Sequence, residues 1–372
     1  MKAVAGLWGL EVTVNGQDLG LDPSNLSHLY VVSNINQALP SLSIGFKDDT
    51  GAALDNLMGD GASVKVSIGN PSYHMYNGLD FIVSGMPEVN PYSGSSNHIK
   101  FNGVLNRVKW LRKMVDKPYK GTSANVIAQL ASEAGLIPDI DSAMDFMTWL
   151  PNQTSLVSYA NHVLNRSFAG EGNALVMGIM DNAKLKLKSL NTLIGNSGIT
   201  LSSNSDLGLN VLQWVTRPKA GSTNFSHGYG STSLGLNLDG TIFEGNNVAV
   251  KLMSSATSIM SGIKDIIGDV GTRINALAPL AGNTHDNWYK ALHQNPRILS
   301  TYAFDIELIT DVPTRLELLD TPTFRPYNVA SNQEATSISG KYIVTAITKF
   351  IQNNRYFEKI VLTAQSGGGI GK

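Results

Sequence analysis

Residues 339–362 read SGKYIVTAITKFIQNNRYFEKIVL, and this stretch decides the fold of the C-terminal part of the chain. Apolar and polar residues alternate over 339–347, residues 352–354 have the composition of a turn, and alternation resumes over 356–362. A period of two is typical of β-strands, so the stretch predicts a β-hairpin.

The first 110 residues predict β structure as well. Clusters of Gly, Asp and Asn separate short apolar or alternating runs at 29–35, 41–46, 63–68, 79–83 and 99–105. These runs predict five or six antiparallel strands, which could close into a small barrel or a sandwich.

Between the two β regions the hydrophobic period changes to that of helices. Thr122 or Ser123 can cap a helix that ends at Gly135, and Thr154 or Ser155 can cap a second helix. The sequence therefore predicts an α+β fold, with two antiparallel β-barrel or β-sandwich domains and a helical, mixed middle region.

A heptad-like seam follows between residues 251 and 281, where apolar residues recur at alternating steps of three and four. The pattern predicts a helix, although three glycines and Pro279 weaken it. The seam could join subunits as a coiled coil or lie against the chain's own sheet, and the glycines favour the second arrangement. Its central residues are Met253, Met260, Ile263, Ile267, Val270 and Ile274.

A basic face is expected on the strand of residues 184–188, where Lys184, Lys186 and Lys188 alternate strictly with leucines. These lysines could track a phosphate backbone or an acidic partner. Lysines also protect edge strands from pairing with other chains, and this alternative stays open.

Composition excludes several classes of protein. The chain has 372 residues, 28 Lys plus Arg against 29 Asp plus Glu, and no cysteine. The absence of cysteine excludes disulfides, thiolate zinc sites and cysteine nucleophiles, and the near-neutral charge argues against reading of DNA sequence. No apolar run approaches the roughly 18 residues of a membrane span, so we expect a soluble protein without membrane insertion.

The charged fraction is 15%, whereas an ordinary soluble domain has about 25%. Either the surface is rich in Ser, Thr, Asn and Gly, or other chains cover much of it. Both interpretations point away from a free enzyme.

The search for an active site predicts no catalytic, cofactor-binding or metal-binding residues. Asp139 and Asp141 pair two carboxylates, and His285 stands beside Asp286, but turn and helix-cap roles account for both pairs. We therefore expect no enzyme activity and no cofactor.

Five stretches together resemble the central baseplate hub protein of contractile phage tails, which is related to the hub half of type VI secretion spikes. Each stretch is short, and their order along the chain carries the resemblance. They are GDGASVKVSIG at 59–69, HIKFNGVLNRVKWL at 98–111, GTSANVIAQLASEAGL at 121–136, NQTSLVSYA at 152–160 and SGKYIV at 339–344.

The resemblance implies a structural subunit with two tube-like β domains. Three subunits would form a ring with pseudo-sixfold symmetry that joins the tail tube to the central spike and lets DNA pass. The implied partners are two further copies of the chain, the tail tube protein, the spike protein and other baseplate proteins. The implied location is the virion tail baseplate, assembled in the host cytoplasm.

The resemblance also implies domain boundaries. The first tube-like domain would span 1–112 and the middle domain 113–205. The remaining parts are the second tube-like domain at 206–240 and 296–365, a helical segment at 241–295 that returns to the middle domain, and a flexible tail at 366–372.

Two other functions remain as alternatives. One is another tail-terminal component, such as a tube initiator or a distal tail protein, which would form a sixfold ring. The other is a carbohydrate-binding or carbohydrate-cleaving β protein, suggested by Gly-, Ser- and Asn-rich loops together with Asp139 and Asp141.

Overall fold

A computed structural model describes the fold over most of the chain's residues. No helix among them is long and apolar enough to cross a membrane. The described residues are 9–22, 24–49, 60–91, 97–151, 153–170, 173–195, 198–204, 206–218, 230–236, 242–244, 248–249, 272–277, 285–287, 291, 304–328 and 333–364.

The first part of the chain forms strands, as the alternating runs predict. Turns with glycine or asparagine at positive φ, such as Asn15 and Gly16, connect several of them. The strands are β1 (Gly9–Val14), β2 (Gln17–Asp18), β3 (Leu26–Asn34), β4 (Ser41–Asp48), β5 (Ser63–Asn70), β6 (His74–Val83), β7 (Glu88–Pro91) and β8 (Asn97–Leu105).

The middle part mixes short helices and short strands. Its elements are α1 (Lys109–Arg112), β9 (Tyr119–Gly121), α2 (Ser123–Glu133), β10 (Ile137–Ile140), β11 (Met147–Trp149), α3 (Leu156–Asn165), β12 (Leu175–Ile179), β13 (Lys184–Ser189) and α4 (Leu190–Gly195).

The elements with defined bounds that follow α4 are strands. They are β14 (Thr200–Ser202), β15 (Leu209–Asn210), β16 (Gln213–Pro218), β17 (Gly230–Leu236), β18 (Ile242–Glu244), β19 (Val248–Ala249), β20 (Thr272–Leu277), β21 (Phe304–Thr310), β22 (Thr323–Arg325), β23 (Tyr327–Asn328), β24 (Gln333–Glu334), β25 (Gly340–Lys341), β26 (Ile343–Gln352) and β27 (Arg355–Ala364).

One twelve-stranded sheet contains strands from both ends of the chain. Its order is β16-β21-β27-β26-β3-β4-β8-β6-β5-β1-β2, with β7 paired to β8 beside this path. The two regions meet where β26 pairs antiparallel with β3, from Leu29 opposite Ile351 to Asn34 opposite Ala346. The α+β character with mostly antiparallel strands is confirmed, and the two β regions share this sheet. Their division into tube-like domains at the stated boundaries stays a prediction.

The predicted C-terminal hairpin is confirmed. Strands β26 and β27 pair antiparallel around Asn353 and Asn354, whose φ angles are 50° and 58°. Two consecutive left-handed residues are the requirement of a type I′ turn, which matches the twist of a two-residue hairpin. The resulting register places Lys349 directly opposite Glu358.

Both predicted helix caps are present in the middle part. The Thr122 hydroxyl accepts the amide of Asn125 at the start of α2, and the Ser155 hydroxyl accepts the amide of Ser158 at the start of α3. After α2 the chain turns at Gly135, which has a φ of 78°. Local sequence therefore determines where these helices begin and end.

Three hydrophobic cores hold the elements together. The first packs α2 and α3 against β12 and β13, the second lies under β21, β26 and β27, and the third lies inside the N-terminal strands. Ile351 and Tyr356, which flank the tip of the C-terminal hairpin, are buried in the third core. The hairpin tip is therefore part of the N-terminal core, where each fully buried aliphatic side chain contributes roughly 1.5–3 kcal/mol.

The expected helical segment at 241–295 is corrected over the described residues between 242 and 277, which form strands, whereas Ala291 is helical. Strands β18, β19 and β20 lie within it, and β20 pairs parallel with β17, with Ile274 opposite Thr232. Ile274 is therefore on a strand, because pairing with β17 and the β preference of Thr and Ile outweigh the heptad spacing. The other seam residues, Met253, Met260, Ile263, Ile267 and Val270, lie outside the described residues.

Candidate functional site

The lysines of β13 share a face as predicted, but acidic residues of the same chain cover it. Lys184 Nζ lies 2.7 Å from an oxygen of Glu317, and Lys186 Nζ lies 2.7 Å from Asp320 Oδ1 and 2.9 Å from Glu317 Oε2. Burial alone would raise the pKa of Glu317, but the hydrogen bonds from Lys184 and Lys186 hold it below its ordinary value. Lys184 and Lys186 therefore bind the chain itself and do not form an open basic face.

Lys188, the third lysine of this strand, forms ion pairs with Asp139 and Asp141, the two carboxylates considered above for a glycosidase. Lys188 Nζ lies 2.6 Å from Asp139 Oδ1 and 3.3 Å from Asp141 Oδ1, while Asp141 also accepts the amide of Ser189. Strand β13 is the middle strand of a three-stranded sheet between β10 and β12, so the alternative of a protected edge strand is wrong. Its lysines join neighbouring segments of the middle part.

The pair His285 and Asp286 shows no catalytic arrangement. The His285 ring is buried, its Nε2 lies 2.8 Å from the carbonyl oxygen of Arg166, and burial lowers the pKa of the imidazole. Among the described residues no three His, Asp or Glu side chains are grouped to hold a metal ion. The imidazole thus packs inside the middle part beside Trp149.

A buried polar junction lies where the hairpin, the N-terminal strands and the middle part meet. We call the cluster of Tyr76, Asp181, Lys349, Tyr356 and Glu358 the junction. Lys349 Nζ donates to Asp181 Oδ2 in the β12–β13 turn, and it lies 3.8 Å from the centroid of the Tyr76 ring on β6. One ammonium group therefore contacts an anion of the middle part and an aromatic face of the N-terminal sheet.

Glu358 completes the junction by accepting four hydrogen bonds. The hydroxyls of Tyr76 and Tyr356 donate to Oε1, the first at 2.8 Å. The amide and the hydroxyl of Thr314 donate to Oε2 at 3.0 and 2.7 Å. A carboxylate has no donor of its own, so these four bonds suit its ionised form. Glu358 is fully buried, and each of its two carboxylate oxygens accepts two hydrogen bonds.

The tyrosines of the junction are held as donors. Burial raises the pKa of Tyr76 far above its ordinary value, and the Glu358 carboxylate raises it further. Burial and Glu358 raise the pKa of Tyr356 in the same way. Both hydroxyls thus stay protonated, and the Tyr76 oxygen also accepts the amide of Arg315 at 3.1 Å.

Sequence reasoning missed the junction, although the hairpin contained a signal for it. In β27 the inward positions are Tyr356, Glu358, Ile360 and Leu362, so one carboxylate stands in an otherwise apolar or aromatic row. A two-residue turn sets Lys349 opposite Glu358. Opposite charges at an inward cross-strand pair indicate a buried polar site.

The two ends of the large sheet offer candidate assembly surfaces. Within the described residues β16 pairs on one side only, with β21, and the side chains of Leu212 and Val215 at this end are about half exposed. The other end is the short strand β2. Unpaired edges present backbone donors and acceptors to another chain, so these ends are where the sheet could be extended between copies.

No known family model matches the sequence, and no curated protein matches it. Solved structures do share its fold. The tail protein from Neisseria meningitidis MC58 superposes with a TM-score of 0.60 at 11% identity, over 98% of this chain and 99% of that chain. The 43 kDa tail protein of prophage MuSo2 from Shewanella oneidensis gives a TM-score of 0.62 at 11% identity, over 97% and 99%.

A chain of the Francisella PdpA-VgrG complex in its half-lidded form is also similar. The TM-score is 0.51 at 10% identity, and the match covers 98% of this chain and 59% of that chain. At such low identity these likenesses establish the fold and leave function to be argued separately. The resemblance to phage tail hub proteins is confirmed at this level: the chain has the fold of phage tail proteins.

Proposed function

We propose that this chain is a structural subunit of a phage tail baseplate hub. Three copies form a ring with pseudo-sixfold symmetry, which joins the tail tube to the central spike and lets DNA pass through its centre. The hub belongs to the virion tail and is assembled in the host cytoplasm.

The observation that carries this proposal is the extent of the structural likeness. Two tail proteins match the chain over nearly its whole length and nearly the whole of their own length. The likeness therefore extends over nearly the whole of each tail protein and is not limited to one shared module. A partial match would have supported only a common building block.

The shared sheet gives the ring a physical basis. Strands from both β regions of one copy already lie side by side through β3 and β26. If the side of β16 that has no partner among the described residues pairs with an edge of the neighbouring copy, three chains supply six β regions to one closed wall. Closure of this kind removes the exposed edges that otherwise promote aggregation.

The charges of the described chain support a structural and not a catalytic role. Lys188 pairs with Asp139 and Asp141, and Lys184 and Lys186 are bound by acidic groups of the chain. With a formal net charge of −1, the subunit has no overall attraction for a polyanion, which suits a passage for DNA. The proposed partners are the tail tube protein, the spike protein and other baseplate proteins.

The rotational symmetry of the purified particle tests the proposal. Mass photometry at micromolar concentration should give three times the subunit mass of 39.9 kDa, and class averages from electron microscopy should show threefold symmetry. A sixfold ring would favour another tail-terminal component. A monomer that does not change on addition of tube or spike protein would contradict both.

A further inference from the structure

An exposed apolar face lies on β11 and the residues beside it. Met144, Phe146 and Leu150 are 65, 64 and 51% exposed, whereas Met147 and Trp149 between them are buried. Three large exposed apolar side chains thus lie within seven residues on one side of the chain. Contiguous apolar surface of this kind marks interaction sites in soluble proteins.

The fold holds this face rigidly. Asp145 is buried, and its carboxylate accepts the amide of Ser123 at 2.8 Å and the amide of Phe168 at 2.7 Å. The Trp149 indole donates to the carbonyl oxygen of Gly121 at 3.0 Å. Because the backbone is fixed before any contact forms, binding to this face loses little conformational entropy.

One positive charge lies on the same face. Thr148 pairs with Lys120 on β9, and directly opposite residues of an antiparallel pair point to the same side. Both residues are exposed, and Lys120 makes no ion pair among the described residues. The complementary surface should therefore combine an apolar anchor with a carboxylate.

The turn between β6 and β7 has that combination. Met86 is 84% exposed, and Glu88, two residues later, is exposed as well. The turn is anchored where the amide of Gly85 donates to Asp60 Oδ1 at 3.1 Å and where β7 pairs with β8. It is a fixed projection of the N-terminal sheet, with a methionine at its tip and a carboxylate beside it.

We propose that the Met86–Glu88 turn of one copy docks on the β11 face of the next copy. This contact rests on the proposed ring. A contact between two identical β11 faces would bring two Lys120 side chains into one interface without Glu88, whereas the heterologous contact places Glu88 beside Lys120. Heterologous contacts that close generate rings, as a threefold hub requires.

Disulfide trapping tests the contact, because the chain has no cysteine of its own. The variants M86C and F146C are mixed and oxidised, and they should form a mixed covalent dimer. The double variant M86C/F146C should form covalent species up to the trimer. The matched control places the second cysteine at position 137 and not at position 146. Ile137 is 60% exposed and also lies in the middle part, so M86C mixed with I137C should give no adduct.

Charge exchange provides a second test. K120E and E88K should each weaken self-association about tenfold, and the double variant K120E/E88K should restore most of it. Both side chains are exposed, so the melting temperature of each variant should stay within a few degrees of the wild type. Loss of association without recovery in the double variant would contradict the pairing of these two charges.

The outcomes separate this inference from the proposed function. A wild-type trimer without the mixed adduct would overturn the contact and leave the hub intact. An adduct in a sixfold particle would support the contact and overturn the hub. A monomer without any adduct would overturn both.

Discussion

Two lysine–carboxylate clusters in this protein use the same chemistry in different surroundings. In the junction, the side chains of Lys349 and Asp181 are 2 and 4% exposed. In the second cluster, Glu133 at the end of α2 binds Lys113 and Lys117, whose side chains are 44 and 59% exposed. The comparison shows what removal of water does to an ion pair.

Access to water determines how much free energy is lost when one member of an ion pair is removed. At the surface, a lysine without its carboxylate is solvated again, so the pair contributes about 0–1 kcal/mol. In the interior, the group left behind remains charged and has no water, and breaking the pair costs about 3–5 kcal/mol.

The largest effect is expected for Lys349→Met. The methionine fills a similar volume, but Asp181 then lies buried without its cation. The free energy of unfolding should fall by about 3–5 kcal/mol, measured by urea denaturation. The double variant Lys349→Met/Asp181→Leu removes both charges and should recover at least half of the loss. A double variant as unstable as the single one would show that packing, and not the uncompensated charge, is responsible.

Glu358→Gln should come next. An amide oxygen can accept from one side of the site, but the amide nitrogen then faces either the tyrosine hydroxyls or the amide and hydroxyl of Thr314. At least one buried backbone or side-chain donor loses its acceptor, at a cost of about 2 kcal/mol. Denaturant titration should show that this variant loses less unfolding free energy than Lys349→Met and more than any surface variant. An unchanged midpoint would show that the fold does not depend on two acceptor oxygens at position 358.

Acid should weaken the hydrogen-bonded pairs of Glu133 and Glu334. Burial tends to raise the pKa of Glu133, but hydrogen bonds from Lys113, Lys117 and Tyr119 lower it to about 2. The hydrogen bonds of Arg325 and Ser339 lower the pKa of Glu334 to about 2 as well. Both values lie below the ordinary value of 4.5, so this stabilisation is complete above pH 4.5 and is lost as the pH falls toward 2.

After screening by solvent, each of these glutamates should contribute on the order of 1 kcal/mol to that pH dependence. The variants Glu133→Gln and Glu334→Gln should each flatten the curve of unfolding free energy against pH between 4.5 and 2. A curve that keeps its full slope in the double variant would assign the acid sensitivity to other groups.

The smallest effect is expected for Lys117→Met. Its ammonium group lies 3.0 Å from Glu133, but Lys113 keeps a bond of 2.6 Å to the same carboxylate. The free energy of unfolding should change by about 0.5 kcal/mol or less. A loss of 2 kcal/mol or more would erase the contrast between the two clusters.

Features set by neighbouring residues could be predicted from the sequence. The hairpin turn at Asn353 and Asn354 and the caps Thr122 and Ser155 depend on residues within a few positions, and each is confirmed. The heptad spacing over 251–281 failed as a helix signal at Ile274, because strand pairing with β17 is a tertiary interaction that periodicity does not contain.

The junction could not be predicted because its members are far apart in sequence. Lys349 and Asp181 are separated by 168 positions, and Tyr76 and Glu358 by 282. The hairpin register brings Lys349 opposite Glu358, but nothing local indicates that Asp181 and Tyr76 complete the cluster. The lysines of β13 show the same limit. Their alternation correctly predicted a shared face, but the acidic partners of Lys184 and Lys186, at 317 and 320, come from a distant loop.

The pairing of β3 with β26 has a consequence for synthesis of the protein. Leu29 and Ile351 are 351 − 29 = 322 positions apart. At about 5–20 residues per second, a ribosome needs roughly 15–65 s to deliver the second strand after the first. During that interval one side of β3 has no neighbour, and its apolar residues can pair with other nascent chains. We therefore expect recovery of native protein to depend on translation speed and on chaperones that cover this edge.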